Sequence, residues 1–132
     1  ESFGTVVAEQ VDVALENGAP VVRRVVCAVD CGVVVNPDVV RMQLESAVVF
    51  ALSAALHGEI TIRDGAVVQG NFDDYPLVRI DACPEIAVHL VASERPPSGI
   101  GEPGVPPLAP ALANAIFAAT GKRLRELPLR VS

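Results

Sequence analysis

The chain has no tryptophan, one tyrosine and four phenylalanines among its 132 residues. A core without large rings is filled by Ala, Val, Leu and Ile, which suits close packing of helices on a sheet. Cysteine is scarce too. Cys27, Cys31 and Cys83 are odd in number and include no Cys-x-x-Cys pair, and His57 and His89 stand far from them. No zinc spacing results, no metal ligands are expected, and the thiols read as buried or half-buried free cysteines in a reducing compartment. Positive charge is also short: ten Lys and Arg against sixteen Asp and Glu leave a net charge of −6. Such a balance argues against a nucleic-acid backbone or an anionic membrane as partner. Arg23-Arg24 and Lys122-Arg123 are too isolated to form a basic patch. No uninterrupted apolar run nears the roughly 20 residues of a membrane helix, so neither a span nor a signal peptide is expected.

Hydrophobic residues make up 51% of the chain and the mean hydropathy is +0.43. That fits one domain over residues 1–132, either well packed or a lobe that covers apolar surface on a partner. The chain opens on Glu1 rather than Met, as a piece of a longer protein would.

Val-rich runs at 6–15 and 21–30 flank Asn17-Gly18, the signature of a β-hairpin. On the second strand Cys27, Val29 and Cys31 share one face. Asn36-Pro37 reads as N-cap and first residue of a helix running to Leu56, with Asp38 favourable to its dipole. Between Ala47 and Leu56 only Ser53 is polar, so that half is expected to be buried on all sides. Gln43, Ala47, Phe50 and Ala54 follow one face, which places an amide at the top of an apolar stripe. Ser46, Ala47 and Ala51 are small enough there to admit another backbone or a flat ligand. Gln43 is equally readable as an amide capping the edge of the core.

A second hairpin is expected at 59–63 and 66–69 around Asp64-Gly65, with a short edge strand at 76–80 and a strand at 86–91 whose His89 faces outward. A Pro- and Gly-rich loop occupies 93–107. A final helix spans about 107–120, with Gly121 as its C-cap, and an extended tail covers 124–129. Hairpin, helix, hairpin, strand and helix define an α+β domain: a mixed or antiparallel sheet from β-hairpins with two main helices packed on it.

The loop carries Gly99-Ile100-Gly101-Glu102-Pro103-Gly104. Its glycines permit positive φ and close approach to a ligand, while Pro103 biases Glu102 toward extended backbone. No cation flanks Glu102 in sequence. It fits a carboxylate kept for chemistry, and also a solvated turn residue.

Asp30-Cys31-Gly32 with Asn36-Pro37, Gln43-Leu44-Glu45 opening an apolar helix, and Gly101-Glu102-Pro103-Gly104 before an alanine-rich helix together resemble a known family. So do Val49–Leu56, Asn71–Tyr75 and Pro110–Phe117. The resemblance covers nearly the whole chain. It is to the C-terminal portion of the large, molybdenum-binding subunit of the xanthine dehydrogenase and aldehyde oxidase family, closest to the isoquinoline 1-oxidoreductase β-subunit type. It implies that Glu102 is the catalytic base, taking a proton from the oxygen that the molybdenum site delivers to an electrophilic carbon. It further implies that Gln43 lies against the molybdopterin, in its cytosine dinucleotide form, and that Gly99 and Gly101 let the backbone approach it. Burial would lift such a base toward working pH. The implied partners are the remainder of the large subunit and a small [2Fe-2S] subunit, with an N-heteroaromatic or aldehyde substrate and water as oxygen source. The fragment alone is expected to bind no cofactor. Bacterial cytoplasm and periplasm both stay open. The alternative is a non-catalytic excised or remnant α+β module that self-associates.

Overall fold

The structure is a computed structural model and describes residues 1–131. Its first two strands, β1 (Val6–Glu16) and β2 (Ala19–Asp30), pair as an antiparallel hairpin. Asn17 and Gly18 both take positive φ, 51° and 81°, as a two-residue turn of this hand requires. The register slips midway: Asp12 faces Arg24 but Val13 faces Val22. This bulge accommodates Arg23, so both arginines are exposed while Val22 and Val25 are buried.

The next stretch departs from the sheet through α1 (Pro37–Leu56). Asn36 caps it as expected, its Oδ1 accepting from the backbone N–H of Asp38 at 3.1 Å and of Val39 at 3.2 Å. The buried face is Val40, Leu44, Ala47, Val48, Ala51, Leu52, Ser53 and Ala55. The helix is therefore not buried on all sides: Phe50 and Ala54 are exposed. By length and composition α1 could cross a membrane, a test that core helices also pass, and here it packs on the sheet and on the second helix.

A small detached hairpin follows, β3 (Ile62–Arg63) and β4 (Ala66–Val67), shorter than its sequence suggests. Asp64 and Gly65 make its turn at φ of 52° and 78°. The expected edge strand at 76–80 does not form. Pro76 has no N–H to give, and the Val78 N–H bonds instead to Ser53 Oγ on α1, at 3.1 Å. A short 3-10 turn at Ile80–Ala82 takes its place.

The chain then returns as β5 (Glu85–Leu90), which lies parallel to β2 from Arg24 opposite Glu85 to Val29 opposite Leu90. The sheet is thus mixed, in the order β1-β2-β5, and the excursion through α1 provides the crossover that parallel pairing needs. His89 is exposed, as expected. The last element, α2 (Leu108–Thr120), ends at Gly121 with φ of 73°. Its Leu108, Leu112 and Ile116 are fully buried. Helix α2 packs on β1, α1 packs on β5, and the two helices touch. The tail after α2 is no strand, but Leu129 is buried and its N–H bonds to Ala55 O at 2.7 Å. Cys27 and Cys31 are buried in the core, whereas Cys83 is exposed rather than half-buried.

Candidate cofactor-facing site

The loop that carries Glu102 is tied to the end of β2 by the Asp30-Cys31-Gly32 turn. Gly32 has φ of +75°, and a Cβ there would stand 2.1 Å from the Pro96 carbonyl oxygen, so only glycine fits. Val33 N–H bonds to Arg95 O and Ser98 N–H to Cys31 O, both at 2.9 Å. The Arg95 guanidinium pairs with Asp30 at 2.8 Å. Its hydrogen bond, reinforced by the Gly32 N–H, holds the Asp30 carboxyl below the usual carboxylate range. From the other side Thr5, completely buried, bonds through its hydroxyl to Gly99 O at 2.6 Å and to Ser98 Oγ at 2.7 Å.

Past these anchors the chain turns at Glu102, whose carbonyl accepts from Val105 N–H at 2.9 Å. Pro103 and Gly104 are buried, Gly104 against α1. A Cβ on Gly104 would lie 2.8 Å from Leu44 Cδ2 and 3.0 Å from Ala47 Cβ. Of the small residues of α1, Ala47 thus meets another backbone, that of the Glu102 turn. The glycines serve differently from expectation. None of Gly99, Gly101 and Gly104 takes positive φ. Gly104 is required by close approach, Gly99 sits where a Cβ would be 3.2 Å from Phe3 Cβ, and Gly101 has nothing within 4 Å of that position.

Gln43 immediately precedes Leu44 and is exposed, as are Glu102, Gly99 and Gly101. Among the described residues neither Gln43 nor Glu102 engages its side chain in a hydrogen bond or ion pair. The expected stripe of Gln43, Ala47, Phe50 and Ala54 is not a buried face: Ala47 alone is buried, and Phe50 is 68% exposed. The contact at Gly104 brings the Gln43 end of α1 against the Glu102 turn. The described residues do not bury Glu102. A separate apolar groove of about 900 Å³, lined by Met42, Glu45, Phe50, Tyr75, Leu77 and Ile86 among others, includes none of the four predicted site residues. Among the described residues no three His, Cys, Asp or Glu side chains gather into a metal-binding group.

The carboxylate that does turn into the protein is one that no motif marks. Glu9 lies on β1 directly opposite Cys27, in register with the inward-facing Val7, Val11 and Val13. Cys27 Sγ donates to its Oε1 at 3.7 Å, and Oε2 is out of solvent with no partner. Burial pushes the Glu9 carboxyl up to about 7, against a small lowering by the Cys27 hydrogen bond. Burial first, then the Glu9 charge and hydrogen bond, push the Cys27 thiol up to about 12. The signal was in the sequence: one acid in the inward register of an otherwise valine strand.

Residues 2–84 match the molybdopterin cofactor-binding domain family, and the chain belongs to that family. It is 40% identical over 109 residues to isoquinoline 1-oxidoreductase subunit beta of Brevundimonas diminuta, covering 83% of this chain and 14% of that protein. It is 38% identical over 121 residues to the membrane-bound aldehyde dehydrogenase [pyrroloquinoline-quinone] of Gluconacetobacter polyoxogenes, covering 92% of this chain and 16% of that protein. The crystal structure of quinoline 2-oxidoreductase from Pseudomonas putida 86 shares the fold, with a TM-score of 0.79 and 22% identity, covering 88% of this chain and 16% of that one. The chain therefore spans 14–16% of the length of these relatives.

Proposed function

We propose that the chain is the base-bearing, C-terminal lobe of a molybdenum hydroxylase large subunit. The observation that carries this reading is the seam at Gly104, which sets the Glu102 turn against the Gln43 end of α1 while both polar side chains stay free. The residues present fit the cofactor: Gly101 leaves open space for a close backbone approach, and Gln43 offers an amide donor and acceptor to a pterin edge. The bound group would supply Lewis acidity and a two-electron acceptor. Glu102 then acts as the general base, accepting at its carboxylate the proton of the water-derived nucleophile. Pro103 and Gly104, buried behind it, hold its backbone still. The exposure of Glu102 places the task of excluding water on the remainder of the large subunit, which also covers Phe3, 68% exposed beside Gly99. The substrate class is an N-heteroaromatic or an aldehyde, in line with the names of the relatives, with a cytosine dinucleotide form of molybdopterin and a small [2Fe-2S] subunit as electron exit.

The test is molybdenum and pterin analysis of the complete large subunit that carries this segment. Stoichiometric molybdenum with a pterin, reduced several-fold in Gln43→Ala, supports the reading; bound pyrroloquinoline quinone in place of molybdenum contradicts it. A second reading, a self-associating module without catalysis, is favoured by exposed Met42, Phe50, Phe72 and Ile80, the last 95% exposed. A subunit that takes up no molybdenum with every partner supplied would favour it.

A further inference from the structure

The inward-facing carboxyl of Glu9 has no part in the proposed chemistry, yet it is packed against the turn that carries the base. Its Oε1 lies 3.8 Å from the position a Gly104 Cβ would occupy, two residues beyond Glu102. Across the sheet it faces Cys27 of β2, and beyond Gly104 stand Leu44 and Ala47 of α1. Those neighbours are apolar apart from the Cys27 thiol, the one titratable group with a resolved influence on it. Valine or isoleucine is the ordinary occupant of an inward position on such a strand, and a carboxyl with an orphaned oxygen costs stability there. We propose that Glu9 is a positioning residue for the catalytic turn, supporting Glu102 from inside the fold through Gly104.

The physical device is a change of charge behind a tightly packed glycine. Protonated, the half-buried carboxyl accepts from Cys27 and carries no charge, leaving Gly104 seated on Leu44 and Ala47. Ionised, its solvent-excluded Oε2 demands hydration that the packing at Gly104 does not supply, and Cys27 stays a thiol throughout because it titrates far above neutrality. Opening of the seam unseats Gly104 and with it the Val105 N–H to Glu102 carbonyl bond. The supported state therefore belongs to the pH range below about 7, where Glu9 holds its proton.

Amide hydrogen exchange of the chain, corrected for intrinsic rates, reads this directly at Val105, with Leu129, bonded to Ala55 O on the far end of α1, as control. The expected result is that Val105 protection falls about tenfold as pH rises from 6 to 8, that Glu9→Gln abolishes this fall, and that Glu9→Ala lowers Val105 protection at both pH values. Leu129 protection changes less than Val105 protection in all three. Val105 protection that ignores pH and Glu9→Gln, or that moves in step with Leu129, overturns the proposal. Its consequence for turnover rests on the reading of Glu102 as base. In the complete enzyme Glu9→Gln should extend kcat per molybdenum to higher pH with KM unchanged, whereas Glu102→Gln should abolish turnover at every pH. Full activity in Glu102→Gln with a responsive Val105 removes the base reading and leaves Glu9 as the support of the turn; a silent Val105 with inactive Glu102→Gln removes the support and leaves the base.

Discussion

Replacing Glu9 by Gln should stabilise the chain at alkaline pH and leave it nearly unchanged in acid. The native carboxyl titrates at about 7 rather than its ordinary 4.5, because burial penalises its charged form. Each tenfold change in proton affinity is worth about 1.4 kcal/mol, so complete ionisation of the folded protein carries a cost of about 3 kcal/mol; partial solvent contact of the side chain lowers this to about 2 kcal/mol. The sign follows from proton uptake. Between pH 4.5 and 7 the folded state holds the Glu9 proton and the unfolded state does not, so stability falls as pH rises through that window. Below it both states are protonated and the cost is absent; above 7 the loss is complete. Gln has the same shape, accepts from Cys27 through its carbonyl, and cannot ionise. Urea denaturation at pH 4 and pH 8 should therefore show Glu9→Gln within about 0.5 kcal/mol of the parent in acid and about 2 kcal/mol more stable at pH 8. An advantage of equal size at both pH values, or a loss of stability at pH 8, would refute the assignment of Glu9 as an inward-facing, titrating acid.

Further substitutions probe the anchors of the turn. Gly32→Ala combines a left-handed backbone with a Cβ 2.1 Å from the Pro96 carbonyl oxygen, and should cost about 3 kcal/mol or more in denaturation. Gly104→Ala meets the movable end of Leu44 at 2.8 Å and should cost about 1–2 kcal/mol, with exchange at Val105 accelerated before the rest of the chain is affected. Asn36→Ala removes two cap hydrogen bonds from α1 and should cost about 1 kcal/mol, read from the same urea midpoints. Light scattering of the 132-residue chain should show concentration-dependent association through surface that includes Phe50 and Met42, and Phe50→Ser should weaken it; a strict monomer at all concentrations contradicts this.

Much of the fold was legible because local chemistry dictates it. Asn-Gly and Asp-Gly impose their turns wherever they stand between β-formers, Asn36-Pro37 starts a helix, and Gly121 ends one. What stayed hidden depended on distant partners. Whether residues 76–80 pair as a strand is decided by Ser53, which takes the Val78 N–H from 25 residues away. The parallel placement of β5 beside β2 arises from the path through α1 and leaves no mark on either strand. At the site, Glu102 and Gln43 could be singled out by motif, but the glycines of the turn could not be assigned roles without Leu44, Ala47 and Phe3 in place. Glu9, an acid in the inward register of a valine strand, carried no motif to single it out. Its meaning appears only once Gly104 is seen to lie against it.

The central claim, that this lobe delivers the base of a molybdenum hydroxylase, is tested most directly by turnover per molybdenum of the complete enzyme carrying Glu102→Gln, with Glu45→Gln as control. Both residues are exposed glutamates, but Glu45 lines the separate groove on α1. The account predicts a fall of roughly 10²–10⁴-fold for Glu102→Gln with molybdenum content retained, and a mild effect for Glu45→Gln. Full activity in Glu102→Gln, or an equal collapse of both variants with molybdenum lost, would contradict it.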